Sequence, residues 1–251
     1  MLVDIHCHAN LYLNLDEIVA DAKKAGVHKI ISVGMSQTSL ARVIEISENY
    51  DTIYPALGIH PEEVKMNKEI DQNLDKVIEF IRENSNKICA IGEIGLDHYF
   101  VKDRSLYPIQ TKIFKKMLSL AQELTLPVNL HTKGAEKEIF ELLSSYKLPE
   151  VNIHWYSGPD ELLKLGIERG YYFSITPAIS YSPPVKKVVE LVDQKHLLLE
   201  SDGPVKYSGQ IGTPKMIKDV LAKIAAIKKI DIGVLESQIE KNTKKVFPRI
   251  F

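Results

Sequence analysis

Residues 2–34 read LVDIHCHANLYLNLDEIVADAKKAGVHKIISVG, a short apolar run, a longer stretch of helical period and a second short apolar run. Leu2 to His6 is too short for a helix and suits a strand. From Leu15 to Ala25 the pattern is that of an amphipathic helix, with Asn14 as the candidate N-cap and Gly26 as the terminator. Lys29 to Val33 then reads as a second strand. The same alternation continues, with strands expected at Ile53 to Gly58, Ile88 to Gly92, Val128 to His131, Val151 to His154, Tyr172 to Ile175 and Leu197 to Glu200. Among the helices between and after them, Pro108 to Leu124 opens on a proline in its first turn, and Lys215 to Lys229 and Gly233 to Val246 finish the chain. Eight strand–helix units in 251 residues predict an α/β fold, a (β/α)8 TIM barrel. The competing architecture is an open doubly wound sheet. No low-complexity linker divides the chain, so residues 1–251 are read as a single domain, with Glu62 to Asn73 a polar loop after the third strand.

Composition limits what such a domain does. Apolar residues make up 45% and charged residues 26%, and the mean hydropathy is −0.10, which fits a globular protein with a sizeable core and excludes disorder and collagen. A net charge of −1 gives no global field for a polyanion, so any nucleic-acid contact has to come from a local patch. Cys7 and Cys89 cannot make a disulfide framework. The start Met1-Leu2-Val3-Asp4 carries acid where a signal peptide carries base, and no apolar run reaches the ~18 residues of a membrane helix. The expectation is a cytoplasmic protein with no membrane association and no obligate protein partner.

Metal-capable residues fall at the C-terminal ends of the expected strands, the face on which barrels of this type build their sites. Strict alternation puts Asp4, His6 and His8 on one side of the first strand and Ile5 and Cys7 on the other. It likewise groups Cys89, Ile91 and Glu93, Asn129 with His131, Asn152 with His154, and Glu200 with Asp202. Carboxylates turned into a barrel mouth need a cation, so Glu93 and Asp202 point to one. Ligands of the His, Asp and Glu type without thiolate suit Zn, Mg or Mn, and six candidates exceed one tetrahedral site. Two divalent ions are therefore expected, with Glu93 bridging them, an arrangement that lowers the pKa of a shared water and clamps a phosphate.

These residues match a family from end to end. The runs Val3-Asp4-Ile5-His6-Cys7-His8, Gly58-Ile59-His60-Pro61, Gly92-Glu93-Ile94-Gly95-Leu96-Asp97, Leu130-His131, Ile153-His154-Trp155-Tyr156-Ser157-Gly158 and Glu200-Ser201-Asp202-Gly203-Pro204 resemble the TatD-type metal-dependent deoxyribonucleases of the amidohydrolase superfamily. The resemblance implies a first metal held by His6, His8 and Asp202, a second held by His131 and His154, and Glu93 shared. It also implies that Asp202 handles the proton of the attacking water, and that the substrate is single-stranded DNA or frayed DNA ends. The chain departs from the pattern at three places. Lys133 stands where many members have arginine, Trp155-Tyr156-Ser157-Gly158 replaces Cys-Phe-Ser-Gly, and Ile211-Gly212-Thr213-Pro214 replaces Arg-Asn-Glu-Pro. A lysine offers a phosphate a point charge in place of a bidentate fork. The alternatives are a hydrolase of a small phosphoester or an acyl-RNA ester, and a non-catalytic nucleic-acid-binding barrel.

Other residues have assigned expectations. His60 and Lys133 are expected to contact a substrate phosphate. Asp4 is expected to orient a ligand imidazole and Glu200 to support Asp202 or position water. His28 and His196 precede strands on the opposite face and read as structural, as do the cysteines, while His98 is undecided. The loop His98 to Arg104 combines Tyr99 and Phe100 with Lys102 and Arg104, a set able to stack a base and hold a phosphate, and Lys206 with Tyr207 forms a second such pair.

Overall fold

The computed structural model describes residues 1–251. Eight strands, β1 (Leu2–Cys7), β2 (Val27–Val33), β3 (Ile53–Leu57), β4 (Ala90–Gly95), β5 (Val128–His131), β6 (Val151–Ile153), β7 (Tyr172–Ile175) and β8 (Leu197–Leu199), follow one another in a parallel sheet in sequence order. That order excludes the doubly wound sheet, in which the strand order reverses. The sheet closes where the Asp202 N–H donates to the His6 carbonyl at 2.9 Å and the His8 N–H to the Gly203 carbonyl at 2.8 Å. Asp4 reinforces this seam, its Oδ1 accepting the Ser201 N–H at 2.9 Å.

Helices α1 (Leu15–Lys24), α2 (Gln37–Asn49), α3 (Glu63–Met66), α4 (Ile70–Glu83), α5 (Tyr107–Leu124), α6 (Glu136–Leu143), α7 (Asp160–Glu168), α8 (Pro183–Leu191), α9 (Ile217–Lys228) and α10 (Ile232–Val246) surround the strands. The expected loop from Glu62 to Asn73 is instead α3 and the first turn of α4. Ile70, Leu74, Val77, Ile78 and Ile81 of α4 are buried at helical spacing, a stripe masked in the sequence by the polar residues between them. Asn14 occupies the N-cap position of α1 as expected, but its side chain accepts no helix N–H and its amide donates to Glu17. After β8 a two-residue hairpin, β9 (Lys206–Tyr207) with β10 (Gln210–Ile211), was not expected from the sequence.

Two apolar layers hold the barrel. A cluster of 60 buried residues lies largely between strands and helices, and a second of 12, with Ile5, Ile31, Ala56, Tyr172 and Leu198, fills the barrel's lower interior. Phe247 and Ile250 belong to the inner cluster, and the Arg249 guanidinium donates to the Ser85 and Ile88 carbonyls, so the C-terminal segment crosses the end opposite the candidate site.

Two of the strands that carry the candidate site depart from strict alternation. Between Asp4 and Cys7, β1 advances three residues while β2 advances two, and between Ile91 and Ile94, β4 does the same against β5. An extra residue reverses the facing of the residues beyond it. Ile5 therefore packs in the inner cluster although His6 also turns into the barrel, and Ile91 joins the outer cluster although Glu93 turns in. The expected grouping of Ile5 opposite His6, and of Ile91 with Glu93, is corrected accordingly.

Candidate metal centre

The bulge of β1 delivers His6, and His8 follows its end. Glu93 lies within the bulge of β4, His131 ends β5, and His60, His154 and Asp202 follow β3, β6 and β8. All reach the same end of the barrel. His6 Nε2 is 3.4 Å from Glu93 Oε2 and 3.6 Å from Asp202 Oδ1, and His8 Nε2 is 3.8 and 3.3 Å from the same two oxygens. The other Glu93 oxygen, Oε1, lies 3.0 Å from His131 Nδ1, 3.5 Å from His60 Nε2 and 3.9 Å from His154 Nε2. The two oxygens of one carboxylate thus face two sets of imidazoles.

Two placements differ from expectation. His60, expected at a substrate phosphate, has its Nε2 3.2 Å from His131 Nδ1 and groups with Glu93 and His131 as a metal-capable set. His154 stacks on His6 at 3.8 Å between ring centroids and groups with His6 and Asp202, its Nε2 3.8 Å from Asp202 Oδ2.

A second layer fixes the rings. Asn129 Oδ1 stands 3.2 Å from His6 Nδ1, and the Asn129 amide donates to the Ile5 carbonyl. Asp97 Oδ2 is 2.7 Å from His131 Nε2, and its Oδ1 accepts the Tyr99 and Phe100 N–H groups, tying the following loop to the site. Glu200 Oε2 comes within 2.9 Å of His154 Nδ1, off the hydrogen-bond line, while its Oε1 accepts the Trp155 N–H at 3.0 Å. Carboxylates in such positions set ring orientation and basicity. The sequence reading missed Asp97 in this role, although it lies four residues after Glu93 in the same glycine-rich run. Asp4 does not meet an imidazole as expected; its Oδ1 accepts the His6 and Ser201 backbone N–H groups.

Trp155 and Asp202 are held in the left-handed region, at φ 39° and 46°. Such residues cost about 1–3 kcal/mol each and persist where the surroundings over-determine them. Here the Trp155 N–H is held by Glu200 and the Asp202 N–H by His6.

The field of the mouth favours cations. Burial opposes protonation of His6, yet Glu93, Asp202 and Glu200 outweigh it and raise its pKa to about 10. For His131, burial is outweighed by Asp97 and Glu93, raising it to about 9. Burial works against the charged forms of Glu93 and Asp202 as well, but the surrounding imidazoles hold both below the usual carboxylate range. His6 Nε2 is buried without a hydrogen-bond partner and aimed between two carboxylates. An orphaned lone pair in a negative field fits a metal ligand, so the residues present suit a divalent ion.

A cavity of about 370 Å³ opens over this centre, with His8, His60, Phe100, Lys133, Trp155 and Asp202 among its walls. Lys133 Nζ donates to Ser157 Oγ at 2.7 Å and stands 5.6 Å from the Trp155 ring centre. Of the other basic candidates, Lys102 sits over Tyr99, and Arg104 lines a separate groove along α5. His98 stacks on Tyr107 outside the cavity wall, and Tyr207 is buried with its hydroxyl donating to the Ser201 carbonyl.

Residues 3–248 match the family model described as TatD related DNase. An uncharacterized metal-dependent hydrolase of Methanocaldococcus jannaschii is 38% identical over 252 residues, with 98% of this chain and 97% of the relative covered. Deoxyribonuclease TATDN3 of Homo sapiens is 29% identical over 268 residues, covering 99% of this chain and 95% of its own. The crystal structure of YjjV, a TatD homologue of Escherichia coli, superposes with a TM-score of 0.89 at 27% identity, covering 98% of each chain.

Proposed function

Because the chain belongs to the TatD related DNase family and is a metal-dependent hydrolase, we propose that it cleaves phosphodiester bonds at the ends of single-stranded or frayed DNA, using two divalent ions. The observation that carries the two-ion reading is the division of Glu93, with Oε2 toward His6 and His8 and Oε1 toward His131 and His60. In this reading His6, His8 and Asp202 hold one ion, His131 and His154 hold the other with His60 beside them, and Glu93 is common to both. Bound there, the ions would supply a water of lowered pKa and neutralise charge on the phosphate oxygens.

The chain's own groups do the rest. Asp202, with Oδ1 toward His8 and Oδ2 toward His154, is the acceptor for the proton of the attacking water. Lys133 extends from the wall to hold a phosphate oxygen as a point charge, and burial, partly offset by Glu136, lowers its pKa. Asp97 and Glu200 keep the imidazoles of His131 and His154 turned to the centre.

A small phosphoester substrate remains the second reading, supported by the confined cavity and the chain's net charge of −1. One experiment separates them: metal content per chain by elemental analysis, followed by assays on single-stranded DNA, duplex DNA and a chromogenic phosphodiester with and without chelator. Two ions, chelator-sensitive cleavage and a preference for single strands are expected. Hydrolysis of the chromogenic ester with no cleavage of DNA would overturn the nuclease reading.

A further inference from the structure

We infer that Trp155 and Phe100 form a clamp that stacks the base of a strand's terminal nucleotide over the candidate metal centre, an inference that rests on the nuclease reading above. Apart from the histidines, these are the two aromatic side chains lining the cavity. Phe100 is 52% exposed, a large apolar side chain standing at the mouth of a polar site. A small anionic phosphoester gives such a residue nothing to do, whereas a nucleobase offers it a flat face.

Both aromatics hang from carboxylates that also support ligand imidazoles. Asp97 accepts the Phe100 N–H and contacts His131, and Glu200 accepts the Trp155 N–H and contacts His154. A base held between them is therefore registered against the same centre that receives the phosphate. Each aromatic also has a backing ring: Tyr99 meets Phe100 edge-on at 4.8 Å, and Tyr207 stands 5.6 Å from Trp155. Lys133, bonded to Ser157 beside the indole, then lies where the phosphate attached to that nucleoside would run. A volume of about 370 Å³ is at the small end of ligand cavities and suits one nucleotide unit, so a duplex end has to fray before it enters.

Trp155 is the chain's sole tryptophan, so its fluorescence reports on this wall alone. The probes are a nuclease-resistant phosphorothioate single-stranded decamer and the same decamer with abasic terminal sugars at both ends, titrated into the metal-loaded protein. The base-ended decamer should quench the indole to saturation, and the abasic-ended one should bind about fivefold or more weakly with little quenching. Phe100→Ala should weaken the base-ended decamer while leaving the quench at saturation. In cleavage assays on the unmodified strand, Trp155→Ala should raise KM more than it lowers kcat, and Trp155→Phe should restore most of the loss, with circular dichroism confirming that each variant is folded. Equal affinity and equal quenching for the two decamers would overturn the clamp. If the wild type still cleaves single-stranded DNA in that case, the nuclease reading stands alone; if it neither binds nor cleaves DNA, both readings fail.

Discussion

Glu93 is the residue on which the proposed centre turns, since one carboxylate serves two imidazole sets only if both of its oxygens are free to ligate. Glu93→Gln keeps the shape and removes the charge. It is expected to lower occupancy at both ion positions and to cut activity by more than the 10- to 100-fold typical of an outer-layer change; elemental analysis with two ions still bound would sink the bridging role. Asp97 tests the layer behind it. Asp97→Asn removes the charge that faces His131 Nε2, so metal affinity at the second position should fall about 10- to 100-fold while the first position stays filled. A titration showing equal loss at both positions would contradict the assignment. The six candidate ligands were legible because their residue types stood at strand ends. Asp97 was not, because it lies beyond the end of β4 in a turn where no alternation points to it. Asp4 was misread because the bulge of β1 separates its facing from that of His6.

At the scale of elements, order and number were legible and local register was not. Eight apolar runs separated by helical segments show a barrel, but an inserted residue leaves no mark on hydrophobic periodicity when both neighbours are apolar, as Ile91 and Ile94 are. Polar composition likewise hid α3 and the first turn of α4, whose buried stripe begins at Ile70 inside a stretch dominated by polar side chains. The bulge of β4 brings its backbone hard against β5. Gly95 has φ 151°, and a Cβ there would lie 1.9 Å from the His131 carbonyl oxygen. Backbone against backbone has no rotamer to relieve it, so Gly95→Ala should destabilise the fold by roughly 2–4 kcal/mol. For a chain of this size that is a fall of about 5–15 °C in Tm, with metal loading reduced because His131 moves. Thermal unfolding within about 2 °C of wild type would mean that the two strands are not in that contact.

Across the whole molecule, the apolar layers lie below and around the barrel while Asp4, Glu93, Glu200 and Asp202 are buried at its mouth. Buried carboxylates are costly unless positive charge meets them. With the ions stripped by chelator, protons on the imidazoles supply that charge. His6 is raised to about 10 and His131 to about 9, so their contribution to stability is complete below the ordinary imidazole pKa of about 6.5 and is lost as pH rises through 9 to 10. Glu93 and Asp202 are lowered, so theirs is complete above about pH 4.5 and lost in acid. The stripped protein should therefore be most stable between about pH 5 and 6.5 and weaken toward about pH 10. A divalent ion needs these imidazoles neutral and must displace the protons, so its binding weakens in acid. At 100 times its Kd an ion adds about 2.7 kcal/mol, or about 5–10 °C in Tm for a chain of this length. That gain should be small near pH 6 and approach its full value near pH 9, where the competing protons are leaving. Calorimetric scans with and without metal, together with titrations in two buffers of different ionisation enthalpy, read both the gain and the protons released. A gain in Tm that is flat with pH, or larger in acid, would mean that the ions bind somewhere other than this cluster of imidazoles.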